Sequence, residues 1–368
     1  MDNNSNSLNH IQESLRKTIG ESANVSKMGK GYKIKIGDSK ITYRVKSDGT
    51  VYKYEEMDPT PVYARLDDDG TLYLRATQLD KYKPYTGSDS IQPNWNTSGD
   101  ATTTSVVTVM IEEPIAPSSL YRMFSGFNNL TLIKNVKNLH TENVTSMVQM
   151  FENCNNLSEI DISNFDTSKT TSFENLFYGC NSIENLNFEN FDTTEVQSFS
   201  QMFSHCFKLT NLDLNCFNTK NVKSTGGMFQ YCGNLVSIKL NNFNLENVLN
   251  TNKMFFCCSK LIDLELGNVA VSKVNNISNM FDGCSSLQKV NLSGFNTSLV
   301  TSFNQLFYNC NNLKYVNLGN TFEINSNSNT NSMFRYFSNI KIRTTRNTSN
   351  ILKSKFPDFT DDNFEIIE

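Results

Sequence analysis

The chain has 368 residues, a formal net charge of −4, 38% hydrophobic residues and 19% charged residues. This apolar content is enough for a large folded core and excludes wholesale disorder. Because the net charge is negative and no part of the chain is strongly basic, we expect no nucleic-acid partner.

The first twenty residues are polar, and no apolar run in the chain is long enough to span a membrane. We therefore expect no membrane insertion, and we expect any export signal to lie outside these residues. Four apolar residues near the start recur at spacings of three and four, which predicts a short amphipathic helix over 7–20. They are Leu8, Ile11, Leu15 and Ile19.

Apolar and polar residues alternate after the predicted helix, between turn sequences at Gly37-Asp38, Asp48-Gly49 and Asp69-Gly70. This pattern predicts three or more short antiparallel strands. The acidic stretch at 67–70 could suggest a calcium loop, but Ala76 stands where such a loop requires a glutamate. We interpret it as a hairpin turn, and we assign residues 1–80 to an N-terminal region of one helix and β-hairpins.

Residues 81–104 are rich in Ser, Thr, Asn, Gly and Pro, with Trp95 as their one large apolar residue. This composition is typical of a linker, so we place the domain boundary there.

A repeat of about 26 residues occupies residues 105–340. A fixed period of this size indicates a solenoid, in which each unit forms one coil and stacks on its neighbours. The most regular position, the phenylalanine that ends each Met-Phe or Leu-Phe pair, recurs at Phe124, Phe151, Phe177, Phe203, Phe229, Phe255, Phe281, Phe307 and Phe334.

Each repeat changes its apolar period halfway. In one unit, Met147, Met150, Phe151 and Cys154 have the spacing of one helical face. The next apolar residues follow the leucine-rich template, with Ile160 and Ile162 on one face of a short strand. We therefore predict an α/β solenoid, a leucine-rich-repeat array of about nine strand-plus-short-helix coils.

Residues 341–368 are predicted to cap this array, since a solenoid needs an atypical end to cover its core. The stretch "TSNILKSKF" predicts a short helix starting near Thr348, and "NFEIIE" predicts a terminal strand.

Seven of the nine cysteines share one repeat position, three residues after the repeat phenylalanine. Phe127 and Phe337 occupy this position in the first and last units, which indicates a buried apolar site. We expect free thiols, although the spacing alone would also permit disulfides. Cys216 and Cys257 lie outside the column and are expected to be exposed. Without any C-x-x-C pair, we predict no metal site and no cofactor.

The three histidines are His10, His140 and His205, and only His205 adjoins a cysteine, Cys206. Cys206 belongs to the buried column, so we do not interpret the pair as a nucleophile and its base. No phosphate-binding or hydrolase motif occurs. We predict that the protein is not an enzyme, and any activity would have to lie in residues 1–100.

The units "MFENCNNLSEIDISNFDTSKTTSFENLF" and "MFDGCSSLQKVNLSGFNTSLVTSFNQLF" resemble the 26-residue repeat of bacterial BspA-like leucine-rich repeat surface proteins. The resemblance covers residues 104–340. It implies a cell-surface or extracellular protein of the adhesion type, with a protein or glycan of a host or neighbouring cell as its partner. No cell-wall sorting motif or lipoprotein cysteine accompanies the repeat.

Two functions remain open for such an array. It could be a binding module whose ligand lies on the outward side chains of the strands, or a structural scaffold or spacer, surface-layer or phage-borne, without a specific ligand. We expect a monomer in both cases. The predicted ligand-binding face contains Glu159, Asp161, Asn187, Asp213, Lys239, Asp263, Glu265, Asn291, Tyr315 and Asn317.

Overall fold

The computed structural model describes residues 23–28, 31–36, 41–45, 51–80, 83–84, 104–241, 243–264, 266, 271–334 and 340–367. Several predictions fall outside these residues. They are the helix over 7–20, the turns at Gly37-Asp38 and Asp48-Gly49, Trp95, Glu265 and Phe337.

The described residues begin with a four-stranded antiparallel sheet in which each strand pairs with the next. A hairpin follows, whose turn is closed by Asp69 Oδ1 accepting from the Thr71 N–H at 2.9 Å. The strands are β1 (Ala23–Met28), β2 (Gly31–Ile36), β3 (Ile41–Val45), β4 (Val51–Glu55), β5 (Tyr63–Leu66) and β6 (Thr71–Arg75).

The hairpin joins the sheet of the solenoid. Strand β5 pairs with β7 (Lys83–Pro84), β6 pairs in parallel with β8 (Thr108–Ile111), and β8 pairs in parallel with β9 (Leu132–Lys134). Leu72 and Leu74 are buried in the same core as the first coils. The solenoid's sheet therefore begins upstream of the predicted linker at 81–104, and the hairpin covers the N-terminal end of the core.

A buried ion pair ties the first sheet to the solenoid. Lys33 Nζ lies 2.8 Å from Asp166 Oδ2 and 2.8 Å from Glu56 Oε1, and the Asp166 side chain is fully buried. Burial opposes the charge on Lys33, but the two carboxylates outweigh it and raise its pKa. The Met57 N–H also donates to Glu142 Oε1 at 2.6 Å.

The repeat forms a solenoid, which confirms the predicted fold class. We name each coil after its repeat phenylalanine. Equivalent residues of neighbouring coils pair in parallel, as in Leu212 with Ile238 and Val290 with Val316. The strands of the coils are β10 (Asn211–Asp213), β11 (Ser237–Lys239), β12 (Asp263–Leu264), β13 (Lys289–Asn291) and β14 (Tyr315–Gly319).

The part of each coil around the repeat phenylalanine is a run of turns, so the predicted short helices were wrong. In the Phe177 coil, alternate N–H groups donate to the next coil: Asn175 to the Ser200 carbonyl at 3.0 Å and Phe177 to the Met202 carbonyl at 2.9 Å. The N–H groups between them close turns within the coil, as Leu176 does on Phe173 at 3.1 Å. An α-helix would use these donors internally and leave none for the neighbouring coil. We call this part of each coil the turn segment.

Left-handed residues explain why no helix forms. In the coils from Phe124 to Phe307, the residues two before and two after the repeat phenylalanine have positive φ, as in Asn175 (53°) and Gly179 (72°). A right-handed helix cannot pass through such residues. Gly or Asn occupies the later position at Gly126, Asn153, Gly179, Gly283 and Asn309, which is the sequence signal that periodicity alone does not reveal.

The repeat phenylalanines form a continuous column of stacked rings. Neighbouring ring centroids lie 5.2–6.2 Å apart from Phe124 to Phe334. This spacing suits offset stacking, so the column adds ring contacts to the apolar area that each coil buries.

Buried threonines connect neighbouring coils at the stretch that follows each strand. Thr193 Oγ1 donates to the Asn218 carbonyl at 3.0 Å and accepts from the Asn218 N–H at 2.7 Å. Thr167 makes the same two bonds with Asp192 of the next coil. The recurring Phe-Asp-Thr sequence is therefore structural: the phenylalanine packs in the core and the threonine satisfies a buried peptide group of its neighbour.

The C-terminal segment covers the end of the phenylalanine column. Rings of Phe356 and Phe359 pack edge-on against Phe334, with centroids at 5.8 and 5.4 Å. The helix begins two residues before the predicted position, with Thr345 as its N-cap. The elements are β15 (Lys341–Thr345), α1 (Arg346–Lys355), a 3-10 turn (Asp361–Asn363) and β16 (Phe364–Ile367).

In the part of the chain that the structure describes, no helix combines the length and the apolar content needed to cross a membrane.

The phenylalanine column predicts a large loss of stability on truncation. Phe229→Ala should lower the free energy of unfolding by about 3–5 kcal/mol, because it opens a cavity at two coil interfaces. Phe207→Ala is the matched control, since Phe207 is 43% exposed, and it should cost only about 0.5 kcal/mol. Urea unfolding followed by circular dichroism measures both, and equal losses would contradict the role of the column.

Candidate functional site

The predicted ligand face consists of two columns of outward side chains on the strand segments, which we call the strand face. The outer column contains Glu159, Asn185, Asn211, Ser237, Asp263, Lys289 and Tyr315. The central column, two residues further along each coil, contains Asp161, Asn187, Asp213, Lys239, Glu265, Asn291 and Asn317. Glu265 is outside the described residues.

The central column has a structural function. Asp161 Oδ1 accepts from the Ser163 N–H at 2.9 Å, and Asp213 Oδ1 accepts from the Asn215 N–H at 3.0 Å. The side chains of Asn187, Asn291 and Asn317 make the same bond two residues on. Each closes an Asx-turn where the strand ends, so an Asp or Asn at this position stabilises the turn whether or not a ligand is present.

Lys239 is the exception because its side chain has no acceptor. The equivalent N–H, that of Asn241, donates instead to Asn215 Oδ1 of the preceding coil at 3.0 Å. Lys239 itself lies 3.4 Å from Asp213 Oδ2 in an exposed pair. In this coil a neighbouring side chain therefore supplies the missing acceptor.

The outer column makes fewer contacts. Glu159, Asn185, Asn211, Ser237 and Lys289 are exposed. Their chemistry changes from coil to coil, so this column can vary without affecting the strand ends. Its contacts lie on the surface, as in Ser237 Oγ with Asn211 Oδ1 at 2.7 Å and Tyr315 with Glu365 Oε2 at 3.4 Å.

The strand face contains a groove of about 420 Å³ at its N-terminal end. Apolar side chains of the first two coils form much of its wall, and two carboxylates stand beside them. The lining residues are Leu132, Ile133, Val136, Glu159, Ile160, Asp161 and Asn185.

An interruption of the sheet produces this groove. Strand β9 is the edge of its sheet, and the next paired strand of the solenoid is β10, three coils later. Ile160 and Leu186 lie between them and are only half-buried, whereas Leu212 and Ile238 at the same repeat position are buried. The strands are not hydrogen-bonded here, and these apolar side chains are left partly exposed.

Charges of both signs are exposed at both ends of the strand face. Glu159, Asp161 and Lys134 are exposed near the groove, and Lys341, Arg343 and Glu365 are exposed at the C-terminal end.

The cysteine column lies in the core and has no catalytic chemistry. All seven thiols are buried, and each donates to the carbonyl of the preceding coil's repeat phenylalanine, as Cys180 does to Phe151 at 3.1 Å. Burial raises the pKa of every one, that of Cys232 to about 12. Cys216 and Cys257 are half-buried, so the prediction that they are exposed was wrong; both pack beside neighbouring coils.

His205 does not activate Cys206. Its Nδ1 lies 2.9 Å from Ser204 Oγ, and Cys206 Sγ donates to the Phe177 carbonyl in the core. Among the described residues, no group of three or more His, Cys, Asp or Glu side chains is placed to hold a metal ion.

Fold and repeat together define a solenoid protein of the leucine-rich-repeat type. The family described as "Mycoplasma protein of unknown function, DUF285" matches residues 118–238 and 228–347. These matches cover more than half of the chain, and the chain belongs to this family. No curated protein matches it.

Two solved structures are similar to the chain at low identity. A leucine-rich repeat protein from Bacteroides ovatus is 15% identical over 86% of this chain and 100% of its own, with a TM-score of 0.27. The pneumococcal vaccine antigen PcpA is 12% identical over 93% of this chain and 100% of its own, with a TM-score of 0.32.

The Asx-turns predict a difference between two substitutions of one residue. Asp213→Ala should lower the free energy of unfolding by about 1 kcal/mol, because the Asn215 N–H loses its acceptor. Asp213→Asn keeps an acceptor oxygen and should be neutral within about 0.5 kcal/mol. Chemical denaturation compares them, and equal stabilities would mean that the turn does not depend on this side chain.

Thiol accessibility gives a second test. The thiolate is the reactive form, and a thiol of pKa about 12 is roughly 0.01% ionised at pH 8, besides being buried. In the folded protein at pH 8, we expect at most Cys216 and Cys257 to react with a thiol reagent, and all nine cysteines to react in denaturant. Disulfides found by mass spectrometry without reductant would contradict this prediction.

Proposed function

We propose that the chain is a non-catalytic binding protein of a bacterial surface, and that it holds a protein ligand on the strand face. The repeat's resemblance to BspA-like surface proteins supports the location and the adhesive function. The groove beside β9 supports the binding, because it is the part of the strand face where apolar side chains are open to a partner.

An extended segment of a partner protein fits this groove better than a glycan does. Such a segment could lie along the groove, where apolar side chains of two neighbouring coils are open to it. Ile133 and Ile160 would contact its apolar side chains, and Glu159 and Asp161 would favour basic residues beside them. Leu132, which is 40% exposed, lies at the opening.

The test is saturable binding of the purified protein to immobilised extracellular matrix proteins and glycans. Leu132→Glu should weaken binding to the protein ligand at least tenfold, because it places a charge in the apolar groove. Leu299→Glu is the matched control, since Leu299 is 57% exposed away from the strand face, and it should bind as the parent does.

Both variants should unfold within about 0.5 kcal/mol of the parent, since both positions are exposed. Parent-like binding by Leu132→Glu would place the ligand elsewhere on the solenoid. A protein that binds no component of the panel saturably would fit the alternative function of a structural spacer.

A further inference from the structure

One coil departs from the repeat on the surface opposite the strands. The positions three and two residues before the repeat phenylalanine carry Ser200 and Gln201 in one coil and Asn252 and Lys253 two coils later. The coil between them has Gly226 and Gly227. The absent side chains leave a cavity of about 360 Å³, which we call the notch, lined by Ser200, Gln201, Gly226, Gly227, Gln230, Asn250, Asn252 and Lys253.

Polar groups without a side-chain partner surround the notch. In two other coils the side chain at the second of these positions pairs with the residue three further on, Gln149 with Glu152 at 2.8 Å and Asn279 with Asp282 at 3.1 Å. Gly227 cannot make this bond to Gln230. Among the described residues, the side-chain amides of Gln201, Gln230 and Asn252 make no hydrogen bond and remain available to a ligand.

A row of half-buried aromatic rings borders the notch. Ring centroids are 5.1 Å apart from Tyr178 to His205, 4.6 Å from His205 to Tyr231, and 5.2 Å from Tyr231 to Phe256. We call these four residues the aromatic row. It meets the notch at Lys253, whose Nζ lies 5.8 Å from the Phe256 ring centroid.

The aromatic row and the notch are almost uncharged. Burial lowers the pKa of His205, so its ring is neutral at pH 7. Lys253 is the one charged side chain that lines the notch. Single strands of nucleic acid also stack on aromatic rows, but they need a basic groove along the row and are disfavoured by a net charge of −4.

We propose that the notch and the aromatic row form a binding site for a neutral glycan chain. Amides both donate and accept hydrogen bonds, which matches sugar hydroxyl groups. The electron-rich face of an aromatic ring attracts the weakly positive C–H groups on the face of a sugar ring. Successive coils repeat the arrangement at about 5 Å, so neighbouring rings can contact successive residues of one glycan chain.

This site is separate from the groove of the proposed function. It lies on the turn segments of the Phe177 to Phe255 coils, whereas the groove lies on the strand face of the first coils. Either site can therefore fail its test without affecting the other.

The chain offers a substitution that fills the notch without a new backbone conformation. Gly227 has φ of 61°, and the same repeat position carries glutamine at Gln149, Gln201 and Gln305 with φ of 58°, 54° and 53°. A Cβ at Gly227 would lie 3.1 Å from atoms of the flexible Gln201 and Gln230 side chains. Gly227→Gln should therefore fold and close the notch. Gly233→Gln is the matched control in the same coil, since a Cβ there would lie 3.7 Å from Ser259 Oγ.

The experiment is isothermal titration of the full chain with neutral hexasaccharides of glucose, xylose and N-acetylglucosamine, and with an acidic galacturonate hexamer. We expect at least one neutral hexasaccharide to bind, with affinity reduced at least tenfold in Gly227→Gln and in Tyr231→Ala. Gly233→Gln and Tyr308→Ala, an aromatic residue outside the row, should bind as the parent does.

Four results would overturn the proposal: no neutral hexasaccharide binds at millimolar concentration, only the acidic one binds, Gly227→Gln binds as the parent does, or a folded Tyr231→Ala binds as the parent does. Circular dichroism and thermal unfolding of each variant accompany the titration. If Tyr231→Ala unfolds, Tyr231→Phe is measured instead. This variant keeps the aromatic ring, so it should retain at least a third of the parent's affinity for the hexasaccharide.

Discussion

Hydrogen bonds between coils in the turn segments are the constraint on which the rest of this structure depends. The Phe177 and Gly179 N–H groups find their acceptors in the following coil, at Met202 and Ser204, and not within their own. Each coil is therefore incomplete without its neighbour. Those hydrogen bonds fix the distance between neighbouring coils. The stacked phenylalanines, the buried threonines and the thiols therefore each recur at equivalent positions from coil to coil.

Much of the fold could be predicted from periodicity, because the spacing of the apolar positions records which side chains are buried. The repeat phenylalanines and the cysteine column followed directly from it. The conformation of the turn segment did not follow. A helix and a run of turns facing the same core both bury residues at the spacing of Met147, Met150, Phe151 and Cys154. Only the left-handed residues show that the chain forms turns here. The pairing of the β5–β6 hairpin with the solenoid is likewise a long-range contact that local pattern does not encode.

The candidate sites were harder to predict because an outward residue is not necessarily a free one. Asp161 and Asp213 point outward, yet each closes the turn at the end of its strand. The groove arises where Ile160 and Leu186 are incompletely covered, and nothing in their residue types distinguishes them from their buried equivalents. The notch, in contrast, could be found in the sequence by aligning the coils, since no other coil has glycine at either of the positions of Gly226 and Gly227. Among repeated units, a departure from the pattern is more informative about function than the pattern itself.

The direction of the turn-segment hydrogen bonds has a consequence for how such a chain can change in length. From the Phe124 coil to the Phe307 coil, the repeat phenylalanine always donates toward the C-terminal neighbour. One end of the array therefore presents acceptors and the other presents donors, so the two ends differ in chemistry. A duplication or loss of one whole repeat inside the array preserves every donor–acceptor pair, whereas an added coil beyond the segment that covers either end would have no partner. Genetic change in this protein should thus proceed by whole internal repeats, lengthening or shortening the surface between two conserved ends.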